Sequence, residues 1–285
     1  MIQTEDLQMQ VAEAQIQNAD RLFPVVLDNI QEQIRSGKTV LAVSGGSGVG
    51  KTGMAWLLQR RFAKCGIGAV TVSGDHYPHR IPVCNDAERI RIFRDAGLKG
   101  LLEQKAYTQK VREILTGLQR NGQDADDSLQ AQYAWLRIYQ DCGDRALKDY
   151  LGTEAELNFE ELSKLVAAFK RQERELVVRH MGREAHEVWY EWMDVSDVQV
   201  LILEWTHGNS ELLTGIDLSV VLTGTPEETL ENRKKRNRDA GIDSPFVARV
   251  LRIEQAKIDA NLSRADILQD MHGNVQCHAK AGKGE

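Results

Sequence analysis

From residue 4 to 36, apolar positions recur every three or four residues: Leu7, Val11, Ala14 and Ile16, then Leu22, Val26, Leu27, Ile30 and Ile34. That period predicts helix. Ser36-Gly37 ends it, glycine being a natural helix stop. The pattern then changes. Thr39-Val40-Leu41-Ala42-Val43 is short and β-branched, which predicts a buried strand. A glycine cluster follows, and the helical period returns from Thr52 to Ala63. Cys65-Gly66 closes that helix, and Ala69 to Val72 predicts a second buried strand. Residues 74–84 carry Pro78 and Pro82 and predict a loop.

From Asp86 to about Arg183 the chain is charged and helical in period, through Ile90, Ile92 and Phe93, then Val111, Ile114, Leu115 and Leu118, then Leu162, Leu165, Val166 and Phe169. The expectation is several helices inserted between strands. Strands return at Val198–Leu203 and Leu218–Leu222. Thr225-Pro226-Glu227-Glu228 reads as a capping box opening a helix, and Ser244-Pro245 opens another. Ala265–Leu268 and Val275–His278, joined through His272-Gly273-Asn274, predict a final hairpin. Strands alternating with helices predict an α/β fold: a three-layer αβα sandwich on a mainly parallel sheet. The expected organisation is an N-terminal helical segment at 1–37, then a domain at 38–285 with a large helical insert at about 86–195.

Charge narrows the partners. Lys plus Arg number 36 against 42 Asp plus Glu, a net −6, which argues against nucleic acid as a partner. The four cysteines are scattered, with no CxxC pair, so a reducing cytoplasm is expected rather than a disulfide framework or zinc site. The start, MIQTEDLQMQ, is polar and acidic, unlike a targeting leader. The longest apolar run, Val198–Leu203, is interrupted by Gln199 and far too short for a bilayer, so no membrane partner is expected.

The sharpest chemical signal is Gly45-Gly46-Ser47-Gly48-Val49-Gly50-Lys51-Thr52, a full G-x-x-x-x-G-K-[ST] phosphate loop between a predicted strand and a predicted helix. Its glycines let consecutive N–H groups turn toward phosphate oxygens, and the following helix adds the positive end of its dipole. Lys51 is placed for the β- and γ-phosphates of ATP and Thr52 for Mg²⁺. No N-K-x-D guanine signature follows any later strand. The strand at 198–203 ends in Glu204, a candidate second Mg²⁺ ligand. The helix after Thr225 carries Arg233, Lys234, Lys235, Arg236 and Arg238, which suits a lid over phosphates.

These segments resemble the P-loop kinase group that holds uridine kinase, phosphoribulokinase, pantothenate kinase and glycerate kinase. VSGGSGVGKT resembles the group's G-x-S-G-S-G-K-[ST] loop. Ser73-Gly74-Asp75-His76-Tyr77-Pro78 resembles its S-x-D-x-F-Y segment, one residue shorter, and Gly74-Asp75-His76 also resembles the G-D-N of adenylylsulfate kinases. Leu203-Glu204 resembles an E-G pair, with Trp205 in place of the glycine. Arg233, Arg236 and Arg238-Asp239 resemble the R-x-x-R-D lid. The resemblance covers 38–83 and 198–278. It implies a P-loop fold and phosphoryl transfer from ATP to a hydroxyl of a small metabolite.

Asp75 is the candidate base, at a strand's C-terminal end where open α/β sheets place ligands. Arg233, Arg236 and Arg238 are candidates to neutralise the transferring phosphoryl group. His76, Tyr77, Arg80, Arg179 and Arg183 are candidate acceptor contacts. Trp189, Tyr190, Trp192 and Trp205 could wall an acceptor pocket, but are expected rather to pack in the core. Two other readings stay open: a P-loop ATPase or nucleotide-binding regulator acting through the insert on a protein partner, and an adenylylsulfate-kinase-like enzyme. The amphipathic N-terminal helices offer a surface for packing on the core or for a homodimer.

Overall fold

The computed structural model describes residues 12–225, 227–236 and 244–278, with Lys235 and Arg236 as backbone. Six strands form one sheet in the order β2 (Ala69–Ser73), β5 (Val200–Glu204), β1 (Thr39–Gly45), β6 (Leu218–Thr223), β7 (Ile267–Asp270), β8 (Val275–Cys277). All neighbours pair parallel except β7 and β8, the hairpin expected at the C-terminal end. β1 is central and buried along its whole length, as a β-branched strand with both faces covered should be.

The side chains of the sheet alternate between two cores. Leu41, Val43, Val200, Ile202, Val220 and Leu222 pack under α1 (Glu13–Ser36) and α2 (Lys51–Lys64). On α1 the buried stripe is Ala19, Leu22, Val26 and Ile30, the three-to-four spacing that predicted the helix. The part of that reading at residues 4–11 lies outside the described residues. Val40, Leu201 and Leu203 face the other way, onto α6 (Phe159–Lys170), Trp205 and β3 (Glu175–Met181). The architecture is therefore the expected three-layer sandwich.

The segment between β2 and β5 needs a correction. It is helical through α3 (Pro82–Glu103), α4 (Gln109–Arg120), α5 (Ala134–Tyr150) and α6, but it ends in an antiparallel hairpin of β3 and β4 (Val188–Asp194). The aromatic residues of β4 are correspondingly not core. Trp189, Tyr190 and Trp192 are 49%, 54% and 70% exposed, because β4 has β3 on one side only. Trp205, after β5, is buried as expected.

α3, α4, α5 and α8 (Pro245–Ala260) share a third core around Phe93, Leu101, Leu115, Leu136, Tyr139 and Ile253. α8 is tied to this unit by Arg249, which is 3% exposed. Its guanidinium donates to the Ala125 carbonyl and to the Asp127 and Asp144 carboxylates. α3 and α5 approach closely through glycines. A Cβ on Gly143 would lie 2.3 Å from the Phe93 ring, and one on Gly97 would lie 2.4 Å from Tyr139. Gly143→Ala gains helix propensity of about 1 kcal/mol, but overpacking costs about 1–3 kcal/mol. We expect a net loss, read as a lower urea midpoint at unchanged m-value.

The two capped helices form as their sequences dictate. Thr225 N donates to the Glu228 carboxylate at 2.8 Å and Glu228 N to Thr225 Oγ1 at 3.2 Å, a reciprocal capping box ahead of α7 (Leu230–Arg236). Ser244 Oγ accepts from Val247 N at the start of α8. Among the described residues, no helix is long and apolar enough to cross a membrane.

Candidate active site

β1 delivers the chain to Gly45, and α2 starts at Lys51. Between them the backbone turns through positive φ at Gly48 (81°) and at Gly50 (102°), the residue that caps α2. A Cβ at Gly48 would lie 2.7 Å from the Arg233 side chain, so glycine is required there twice over. The first turn of α2 carries no acidic residue, leaving its N–H groups and dipole open to an anion. Lys51 is 6% exposed and donates to the Gly46 carbonyl at 3.0 Å. That bond folds its side chain back over Ser47, Gly48 and Val49, the loop it is expected to serve.

Sheet register assembles the next part. Glu204 lies opposite Val43 of β1 and Ser73 of β2. Its carboxylate accepts from Thr52 Oγ1 and Ser73 Oγ, each at 3.2 Å. Glu204 is 3% exposed, so it is not a solvated strand end. Burial, then the charge of Asp75, raises its pKa, while Lys51 and the two hydroxyls oppose the rise. The sequence-predicted metal pair, Thr52 and Glu204, is thus in direct contact. Asp75 stands exposed in the short 3₁₀ turn that leaves β2, its N–H directed to Ser73 Oγ at 3.4 Å.

The predicted acceptor contacts divide. His76 Nδ1 accepts from Met181 N at 2.9 Å, and its ring lies 5.2 Å from that of His180. Tyr77 is buried in the second core, its hydroxyl accepting from Arg179 N at 3.4 Å, and burial pushes it up to about 12. Arg179 is 9% exposed and donates to the Pro78 carbonyl at 3.0 Å. Through these contacts the three residues fasten the loop after Asp75 to β3. Arg183 sits exposed at the tip of the β3–β4 hairpin, its N–H on the Glu187 carboxylate. Arg80 donates to Tyr150 Oη at 3.1 Å and so faces the insert.

α7 lies against the phosphate loop. Asn232 Nδ2 donates to the Gly48 carbonyl at 3.2 Å, and the stem of Arg233 packs on Gly48. Lys234 pairs with Glu231 at 3.7 Å toward solvent. Arg236 closes α7, and Arg238 lies outside the described residues.

No model of a known protein family matches the chain. Among curated proteins it is 34% identical over 266 residues to the bifunctional alpha-galactosidase/sucrose kinase AgaSK of Mediterraneibacter gnavus, over 93% of this chain. The chain spans 23% of the length of that relative. Two solved structures each superpose at a TM-score of 0.50. One is described as a fructose transport system kinase from Silicibacter sp. TM1040, at 17% identity, covering 85% of this chain and 94% of that one. The other is D-glycerate 3-kinase from Cryptococcus neoformans, at 11% identity, covering 94% and 100%. The chain has the P-loop kinase fold.

In this P-loop kinase fold a second polar centre borders the loop, and sequence reasoning missed it. Glu156 is fully buried and accepts from Gly152 N (2.6 Å), Asn85 Nδ2 (2.9 Å) and Arg89 Nε (2.7 Å). Arg89 also reaches Glu254 of α8 at 3.3 Å. The charges of Lys51 and Asp75 act on Glu254 and on His207, so all lie within electrostatic reach of one another. Burial pushes His207 down to about 4, which keeps its imidazole neutral. His207 lines a cavity of about 270 Å³ with Ser44, Thr153, Thr206, Asn209 and Lys257. These residues come from β1, the insert, the turn after β5 and α8, so no local motif announces them. The only sequence signal is polarity at helix positions that also carry core contacts, as in Ile253-Glu254.

Proposed function

We propose that the chain is an ATP-dependent kinase that transfers the γ-phosphoryl group to a hydroxyl of a small neutral sugar. The observation that carries this reading is the convergence of the phosphate loop, through Thr52, on Glu204 and Ser73, with the acceptor-side carboxylate of Asp75 beside them. The sugar class is supported by the sucrose kinase named in the curated relative.

The oxygen donors Thr52 Oγ1 and Ser73 Oγ, around the buried carboxylate of Glu204, fit a hard cation such as Mg²⁺, which takes one or two protein oxygens and keeps waters and phosphate oxygens. When bound, Mg²⁺ supplies charge neutralisation at the phosphates. The remaining work falls to the chain. Loop N–H groups and Lys51 hold the β- and γ-phosphates. Asp75 orients the acceptor hydroxyl and takes its proton as the new O–P bond forms and the bond from γ-phosphorus to the bridging oxygen breaks, releasing ADP. Arg233, whose stem packs on Gly48, is suited to the equatorial oxygens, and Arg236 and Arg238 are proposed for the same role.

The test is ADP formation from ATP and Mg²⁺ with pools of sugars, sugar phosphates, nucleosides and hydroxy acids. Stimulation by neutral sugars is expected. ADP formation that ignores every pool would favour an ATPase acting on a protein partner. Glu204→Gln should raise the Mg²⁺ concentration for half-maximal rate about tenfold or more. A Mg²⁺ titration at fixed ATP that superposes on wild type would remove Glu204 from the metal site.

A further inference from the structure

The β3–β4 hairpin stands outside the six-stranded sheet, and its two edges differ. Along β3, Arg179 N donates to Tyr77 Oη at 3.4 Å and Met181 N to His76 Nδ1 at 2.9 Å, so the turn after β2 covers that edge. In an antiparallel ladder, residues directly opposite either aim their N–H and C=O groups at each other or both turn them away. Arg179 lies opposite Tyr190, and Met181 opposite Val188. The backbone groups of Val188, Tyr190 and Trp192 therefore point out from the far edge of β4, which no strand pairs among the described residues.

That edge lacks the usual guards against pairing. β4 reads VWYEWMD, with no proline and no lysine, and its register against β3 runs through every residue without a bulge. Tyr190 and Trp192 are exposed on one face and Trp189 on the other, where it stacks on His180. A ligand lying on either face would leave part of this aromatic surface in water. A strand added along the edge flanks both faces.

We propose that this strand is β4 of a second copy, antiparallel across a twofold axis at Tyr190, so that two hairpins join into one four-stranded sheet. The side chains choose the axis. At Tyr190 it sets Val188 against the second copy's Trp192 and Trp189 against its Glu191, with no like charges opposed. One residue later it would oppose Glu191 to itself, and one residue earlier it would oppose Glu191 to Glu187. At Trp192 it would leave Val188 and Trp189 uncovered. The other candidate surface, α1, turns its stripe of Ala19, Leu22, Val26 and Ile30 into the first core. At their exposures the three rings offer about 350 Å² per copy, under half of the roughly 800 Å² that a standard interface buries on each partner. The dimer is accordingly dependent on concentration.

Sedimentation velocity of the full chain tests this. Between about 1 and 100 µM the wild-type chain should pass from monomer to dimer, as an interface of this size predicts. Tyr190→Pro removes an outward N–H and leaves the β3–β4 bonds in place, and Trp192→Lys puts a charge on the edge. Each should raise the dissociation constant about tenfold or more while the thermal midpoint holds. If the proline disturbs the hairpin, Trp192→Lys decides alone. A wild-type chain that stays monomeric throughout would overturn the proposal. So would a dimer that Trp192→Lys leaves intact, or one in which the Tyr190 and Trp192 amides exchange with deuterium at the monomer's rate.

Discussion

Lys51→Ala forms ADP about a thousandfold more slowly than the wild-type chain at saturating ATP and acceptor. Removing a single preorganised charge from a transferring group typically costs a factor of about 10²–10³, and Lys51 is the basic side chain folded inside the loop itself. Its fold contribution is small. The ammonium makes one hydrogen bond, to Gly46, and α2 still packs through Met54, Leu57, Leu58 and Phe62. The variant should therefore unfold at a midpoint close to wild type while losing turnover. A coupled ADP assay beside a thermal melt measures both quantities. Turnover within tenfold of wild type would show that the loop does not hold the reacting phosphates.

Asp75→Asn is the second large effect, and it separates donor from acceptor. Positioned proton transfer contributes about 10²–10⁴ in rate, so acceptor-dependent ADP formation should fall by about a thousandfold. Nucleotide affinity should hold, because the loop, Thr52 and Glu204 remain. Losing the charge of Asp75 also removes one of the two influences that raise the pKa of Glu204. Asn keeps the volume of an exposed side chain, so a folding defect is not expected. The decisive comparison is the KM for ATP against kcat with the stimulating acceptor. Unchanged transfer would exclude Asp75 as the proton acceptor and would turn attention to Glu254, another carboxylate on which the charge of Lys51 acts.

Much of this arrangement could be read in the chain itself, for local reasons. The phosphate loop is contiguous, and its glycines, lysine and threonine announce their chemistry by spacing alone. Glu204 follows a fully apolar strand, and Thr225 and Glu228 are three residues apart, so both are visible over a short window. The β3–β4 hairpin was hidden because ELVVRHM and VWYEWMD sit in a charged, helix-periodic stretch, and their alternation is broken by Arg179 and Tyr190. Tyr77 looked like an acceptor contact because the motif places an aromatic there. Its ring instead fills the core under β3, and its hydroxyl meets Arg179 N. Glu156, Arg89 and Glu254 are separated by 67 and 98 positions and meet only in three dimensions. Nothing in a one-dimensional pattern joins them.

The buried guanidinium of Arg249 limits how this protein could be re-engineered. It crosses from α8 into the helical insert, where the Ala125 carbonyl and the carboxylates of Asp127 and Asp144 receive it. A chimera that replaced the insert alone would strand that cation in an apolar interior, at a cost of about 3–5 kcal/mol. α8 carries Glu254 as well, so one helix holds a carboxylate on which the charges of Lys51 and Asp75 act and the rivet that fixes the insert to it. Acceptor preference would therefore be transplanted between scaffolds only as a pair of segments, the insert together with α8.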